Sequence, residues 1–175
     1  MIETIEIATP TSELQENWNS IREDYQRSYK SNFHVTMGTL DTAGRVNLAP
    51  IGSLILKKDM RGFYFDIFAT QLSKNLNSNP DITIQFVNSS SWFWLKSLAT
   101  GKFATAPATR LFGTACPRRK ATELEISRWE KRIAAAKFLK GYSLLWKDCK
   151  YVRDIHFHNF QRVKLAFLIS VIILF

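Results

Sequence analysis

Between residues 34 and 115, hydrophobic and polar positions alternate in short runs separated by turn-forming breaks, a pattern that predicts antiparallel strands. The runs cover 34 to 40, 46 to 56, 63 to 68, 82 to 87 and about 110 to 115. Asp41-Thr42-Ala43-Gly44 separates the first two and is hairpin chemistry. A second break, from Lys57 to Gly62, returns the chain into Phe63-Tyr64-Phe65. More strand material lies at 144 to 146 and 152 to 163, with Ile155 and Phe157 on the apolar side.

The spacing changes outside these runs. Leu14, Trp18, Ile21, Tyr25 and Tyr29 recur at three and four and predict a helix over 12 to 30, with Ser12 and Gln15 placed like a capping box. Thr122 and Glu125 form a second such box, and Ile126, Trp129, Ile133 and Ala136 carry that helix toward Gly141. A shorter helix start stands at Thr70 to Leu76. The long connection from 88 to 109 holds Trp92-Phe93-Trp94-Leu95 and reads as a lid, a short helix or a partner surface. Many short strands with a few helices predict a mainly β (α+β) architecture, a β-barrel with peripheral helices.

At 175 residues the chain suits one domain with a good core. That domain divides into the helix 12 to 30, a barrel core 34 to 115, a helix 122 to 140, and C-terminal strands with an apolar tail from 144 to 175. A hydrophobic content of 46% with seven glycines and five prolines argues against a disordered chain. The formal charge of +9 points to an anionic partner. Cys116 and Cys149 stand apart in dissimilar contexts and read as reduced thiols of a cytoplasmic protein. The N-terminus lacks a basic leader and an apolar core, so no signal peptide is read there. The tail 165 to 175 is apolar apart from Ser170 but about half the roughly 20 residues a spanning helix needs, so a buried strand or a partner-covered segment is expected and no membrane span.

Thr70, Ser73 and Lys74 are the first candidates for chemistry. A phosphate dianion wants hydroxyl and N–H donors plus a cation at a helix N-terminus; an ordinary capped helix with an exposed lysine is the alternative. Trp92, Phe93 and Trp94 are able to stack on a flat ligand, although packing is the commoner use of such a cluster. His156 and His158 share one side of a strand, but beyond Asp154 they lack further ligands at matching spacing, and no metal site is nominated. Arg118-Arg119-Lys120 and the basic face of the 122 to 140 helix raise nucleic acid as a partner, but a solvated face explains them more simply and nucleic acid is not favoured. No acid–base pair or nucleophile is nominated, so the catalytic residues are unknown.

Four segments occur in a telling order: Asp-x-x-Gly-Arg-x-Asn-x-Ala-Pro-x-Gly-Ser from Asp41 to Ser53, Gly-Phe-Tyr-Phe from Gly62 to Phe65, Ser-Lys-Asn-Leu-x-x-Asn-Pro from Ser73 to Pro80, and Arg110-Leu-Phe-Gly113-Thr-Ala. Together they resemble the pyridoxamine 5'-phosphate oxidase-like family of FMN-binding split barrels. The resemblance implies a six-stranded antiparallel split barrel that binds FMN at a homodimer interface and acts as an oxidoreductase on a small-molecule substrate or electron donor. It places Pro50, Ile51, Gly52 and Ser53 along the flavin ring. It assigns Lys74, Thr70 and Ser73 to the phosphate, helped by Lys57 or Lys58, with Arg110 as a further cation. Where many relatives open the helix with Ser-Arg-Lys, this chain has Thr70-Gln71-Leu72, so two cations of the pattern are absent. The C-terminus also departs from the oxidase proper, which implies an oxidoreductase of other substrate. A non-catalytic flavin, haem or deazaflavin carrier on the same barrel is the alternative, and a basic nucleic-acid-binding domain is the third.

Overall fold

The structure, a computed structural model, describes residues 6 to 67, 70 to 134 and 149 to 163. Among these, eight strands form one antiparallel sheet: β1 (Val35–Leu40), β2 (Val46–Ile51), β3 (Ile55–Leu56), β4 (Arg61–Phe65), β5 (Asp81–Val87), β6 (Ala108–Ala115), β7 (Arg119–Lys120) and β8 (Tyr151–Val163). The spatial order is β2-β1-β5-β6-β8-β4-β3, with β7 paired to β8 off this path. The two ends of that order, β2 and β3, are consecutive in the chain and joined by Gly52, Ser53 and Leu54 alone. Three residues reach at most about 10 Å. The sheet must therefore curl until its edges meet at this corner, which makes it a split barrel.

Two differences from the sequence reading stand out, the strand count and the cap of the first helix. The six expected strands are eight, because the run 46 to 56 breaks at residues 52 to 54 and the two-residue β7 adds a short ladder. The connection 88 to 109 takes the short-helix form among those expected of it, α3 (Ser91–Thr100). The first helix, α1 (Ser12–Asn32), is capped by Thr11 rather than Ser12, with Thr11 Oγ1 accepting from Leu14 N at 3.2 Å. The other expected box holds: Thr122 and Glu125 cap α4 (Glu123–Ile133) reciprocally, Thr122 Oγ1 accepting from Glu125 N and Glu125 Oε2 from Thr122 N. Helix α2 (Gln71–Ser78) follows β4. The expected strand at 144 to 146, the end of the 122 to 140 helix and the tail 165 to 175 lie outside the described residues. No helix among the described residues is long and apolar enough to cross a membrane.

The core has two layers. Leu14, Trp18, Ile21 and Tyr25 of α1 pack into the barrel against Met37, Ile84, Leu111, Ile155 and Phe157, and each such side chain contributes about 1.5–3 kcal/mol on burial. The period of two in β4 sends Tyr64 into this core while Phe63 and Phe65 face Trp129 and Ile133 of α4. Helix α1 is pinned across the barrel by Trp18 Nε1 donating to Lys57 O at 3.0 Å and by Asn32 Nδ2 donating to Val87 O at 2.7 Å.

Candidate functional site

The corner where the barrel splits is held open by side chains from two helices. Tyr25 Oη donates to Leu54 O at 2.5 Å and Tyr29 Oη to Gly52 O at 2.9 Å. Arg132 of α4 stacks 3.8 Å over the Tyr29 ring, donates to Tyr25 Oη at 2.8 Å, and also donates to Leu54 O. Burial pushes the Tyr25 hydroxyl up to about 12 despite the opposing pull of Arg132, so it stays a donor. The Gly52 and Leu54 carbonyls of the break are thus satisfied from α1 and α4.

Across the break lies a groove of about 400 Å³, lined by residues 47 to 53, by 64 to 67 at the end of β4, and by 70 to 72 at the start of α2. Thr70 makes no side-chain capping bond. Its hydroxyl and the N–H groups of Gln71 and Leu72 are open donors among the described residues, and an α-helix start of this kind favours anions. Tyr64 also lines the groove, and its hydroxyl is buried with no hydrogen-bond partner among the described residues. Burial, then the nearby Asp66 carboxylate, raises it far above the ordinary tyrosine range, so it remains protonated.

Beneath α2 lies a buried ion pair. Arg153 Nε donates to Asp66 Oδ2 at 3.0 Å, and its Nη2 reaches Ser73 Oγ at 3.0 Å and Asn77 Oδ1 at 2.8 Å. Ser73 Oγ in turn donates to Asp66 at 3.2 Å, and Arg118 donates to Asp66 O at 3.2 Å. This network ties β4, β8 and α2 together and fixes the direction of the helix start. Neither Asp66 nor Arg153 is singled out by the sequence reading. The available signal is a cation at an inward position of β8, where Ile155 and Phe157 set the apolar face two and four residues on.

The nine residues nominated from the sequence fall into two groups. Pro50, Ile51, Gly52, Ser53 and Thr70 meet at the groove. Pro50 sits on β2, an end strand of the sheet, where a missing N–H is tolerated. The Ser53 hydroxyl is occupied, accepting from Phe65 N at 3.0 Å, so its backbone is what the groove receives. The remaining four do not line it. Ser73 belongs to the buried network. Lys57 Nζ donates to Asp154 Oδ1 at 3.2 Å and stands over the Phe63 ring. Arg110 is held on the sheet between Gln85 and Gln161, at 3.0 and 3.2 Å. Lys74 is exposed on α2. The described lining of the groove therefore contains no lysine or arginine.

The aromatic insert is mostly packed. Phe93, Trp94 and Phe103 contact one another with ring centroids 5.5 to 6.0 Å apart, and Trp94 Nε1 donates to Asn88 O at 2.7 Å, whereas Trp92 is exposed. Cys149 is buried, and burial raises the Cys116 thiol above its ordinary range, which favours its protonated form.

No protein-family model matches the sequence, and no curated protein matches it. Solved structures match the fold. An FMN-binding protein from Syntrophomonas wolfei subsp. wolfei is 16% identical with a TM-score of 0.56, the match covering 87% of this chain and 96% of that one. HutZ, the heme storage protein from Vibrio cholerae, is 15% identical with a TM-score of 0.53, covering 82% and 92%. A Listeria innocua protein provisionally named a pyridoxamine 5'-phosphate oxidase is 7% identical with a TM-score of 0.51, covering 81% and 96%. This likeness and the curled antiparallel sheet of the chain itself show that it has the split-barrel fold of these structures.

Proposed function

We propose that this chain is an FMN-binding flavoprotein, a flavin-dependent oxidoreductase that holds its cofactor in the groove between the strand break and α2. The observation that carries this reading is the meeting, at one groove, of the backbone of 50 to 53 with the open N-terminus of α2. Volume and lining suit a planar ligand with a few placed polar groups. A bound flavin supplies hydride and electron transfer by its own ring chemistry. The chain orients it: the backbone of residues 50 to 53 meets the ring edge, and Thr70 with the Gln71 and Leu72 amides receives the phosphate. Helix-start donors meet a phosphate without a lysine or arginine in the lining, so the donor set present fits the group. Asp66, although in the lining, is neutralised by Arg153 and does not repel it.

Homodimerisation is part of this proposal. Leu40, Val46 and Leu48 are exposed around a second groove of about 540 Å³ on the sheet, and uncovered apolar area of this kind favours association. Light scattering on the full-length protein tests it, with a dimer expected and a monomer holding stoichiometric FMN as the contrary result. A non-catalytic carrier of flavin, haem or deazaflavin is the second reading, supported by the fold likeness to a heme storage protein. The visible spectrum of freshly purified protein and turnover with a reduced nicotinamide separate the two: flavin bands with turnover support the oxidoreductase, and bound pigment without turnover supports the carrier.

A further inference from the structure

We infer that a further cavity, distinct from both grooves above, binds a nucleotide: a phosphorylated ligand with a flat base. This cavity, of about 950 Å³, lies between the end of α1, helix α3 and the loop that follows α3. Lys30 of α1, Lys96 of α3 and Lys102 of the loop all line it, and no aspartate or glutamate does among the described residues. None of the three lysines has a carboxylate partner among the described residues. Arg27, a fourth cation on the lining, is already engaged by Asp24 at 2.6 Å and faces Glu23 at 3.7 Å. Three exposed ammonium groups without carboxylate partners on one lining make it favourable to an anion.

The cavity also offers neutral donors and a ring. Ser89, Ser90 and Ser91 line it, and their hydroxyls make no hydrogen bond among the described residues; Ser90 sits at the N-cap of α3 without capping it. Asn88, 7% exposed, presents a side-chain amide nitrogen that donates to nothing among the described residues, while its Oδ1 accepts from Ser90 N at 3.1 Å. Trp92 is 72% exposed at the same cavity, leaving an indole face free to stack on a base, a contact indifferent to which base it is. The site is preorganised. Asn88 N donates to Pro107 O at 2.9 Å and Ser89 N to Ser31 Oγ at 3.0 Å, which anchors the serine loop to the residue preceding β6 and to α1. The loop backbone is thus held before a ligand arrives, and ordering is left to the exposed lysine and Trp92 side chains.

The experiment is calorimetric titration of the full-length protein with adenosine 5'-diphosphate, adenosine and inorganic pyrophosphate. The diphosphate is expected to bind more tightly than either fragment. Lys96→Gln with Lys102→Gln is expected to weaken it by about tenfold or more, the scale of a lost charge-assisted hydrogen bond. Trp92→Ala is expected to weaken the diphosphate and leave pyrophosphate unchanged. All three side chains extend from the cavity surface, and an unchanged circular dichroism melt shows that the variants fold. Absence of binding by the parent overturns the inference, as does affinity that ignores both variants. Pyrophosphate binding as tightly as the diphosphate overturns the nucleotide assignment, and so does a site that takes an oligonucleotide but no mononucleotide.

Discussion

Asp66 and Arg153 meet at 3.0 Å inside the barrel, 87 residues apart in the chain, with 3% and 2% of their respective surfaces exposed. A buried charge is tolerable while its partner stays in place. Arg153→Met leaves the Asp66 carboxylate with Arg118 at 3.8 Å as its remaining cation, and a loss of about 3–5 kcal/mol is expected. Urea denaturation measures it. Asp66→Asn leaves the buried Arg153 guanidinium as the unpaired charge and should cost on the same scale, and the two changes combined should cost less than the two single losses added; strict additivity would mean that shape rather than charge governs the site.

The cluster around Arg119 sets an acid limit on stability. Arg119 Nη2 holds Glu125 Oε1 at 2.7 Å and Asp154 Oδ1 at 2.9 Å. The Arg119 hydrogen bonds lower Glu125 in spite of burial; burial is the largest influence on Asp154 and raises it, but Arg119 and Lys57 together outweigh it and hold that carboxyl below its ordinary range as well. A carboxylate lowered by folding contributes stability above its unfolded value and loses it as pH falls through the folded one. The melting temperature should therefore hold from neutral pH to about pH 5 and fall progressively below about pH 4. Arg119→Gln should flatten that fall, which thermal melts across pH will reveal.

Tyr25→Phe removes the hydroxyl that donates to Leu54 O and accepts from Arg132. The loss expected is about 1–3 kcal/mol for leaving a buried partner unmade. Because the same hydroxyl fixes the strand break, flavin affinity should fall with stability. Paired melts and flavin titrations on the variant check both, and a variant that melts early with unchanged flavin affinity would separate the break from the site.

Most strands and α1 are legible in the sequence because their faces differ: Leu14, Trp18, Ile21 and Tyr25 all turn inward, and β5 buries Ile82, Ile84 and Phe86 in strict alternation. Two kinds of feature escape such a reading. The break at Gly52-Ser53-Leu54 sits within a run whose pattern continues on both sides, and what ends the strand is tertiary, namely Tyr25, Tyr29 and Arg132 taking its carbonyls. The cations behave likewise. Lys57 and Arg110 look available in the sequence, yet Asp154 and the glutamines 85 and 161 claim them across the sheet, and nothing local in the chain announces those partners.

Gly113→Ala tests the ladder itself. A Cβ there would lie 2.6 Å from His156 O, at the register shift between β6 and β8. Backbone cannot yield as a flexible side chain does, so overpacking should cost about 1–3 kcal/mol. Gly44→Ala meets nothing within 4 Å, but its φ of 75° is strained for alanine, and the expected cost is about 1 kcal/mol. Urea curves of the two variants compare these mechanisms directly.

The most direct test of the flavin assignment is fluorescence titration of the full-length protein with FMN and with riboflavin, in the parent and in Thr70→Ala. The parent should bind FMN more tightly than riboflavin by about tenfold, the worth of a charge-assisted hydrogen bond at a helix start, and Thr70→Ala should narrow that gap while leaving riboflavin affinity unchanged. Failure of the parent to bind either flavin, or equal affinity for the two that Thr70→Ala does not alter, would contradict a flavin phosphate at the start of α2.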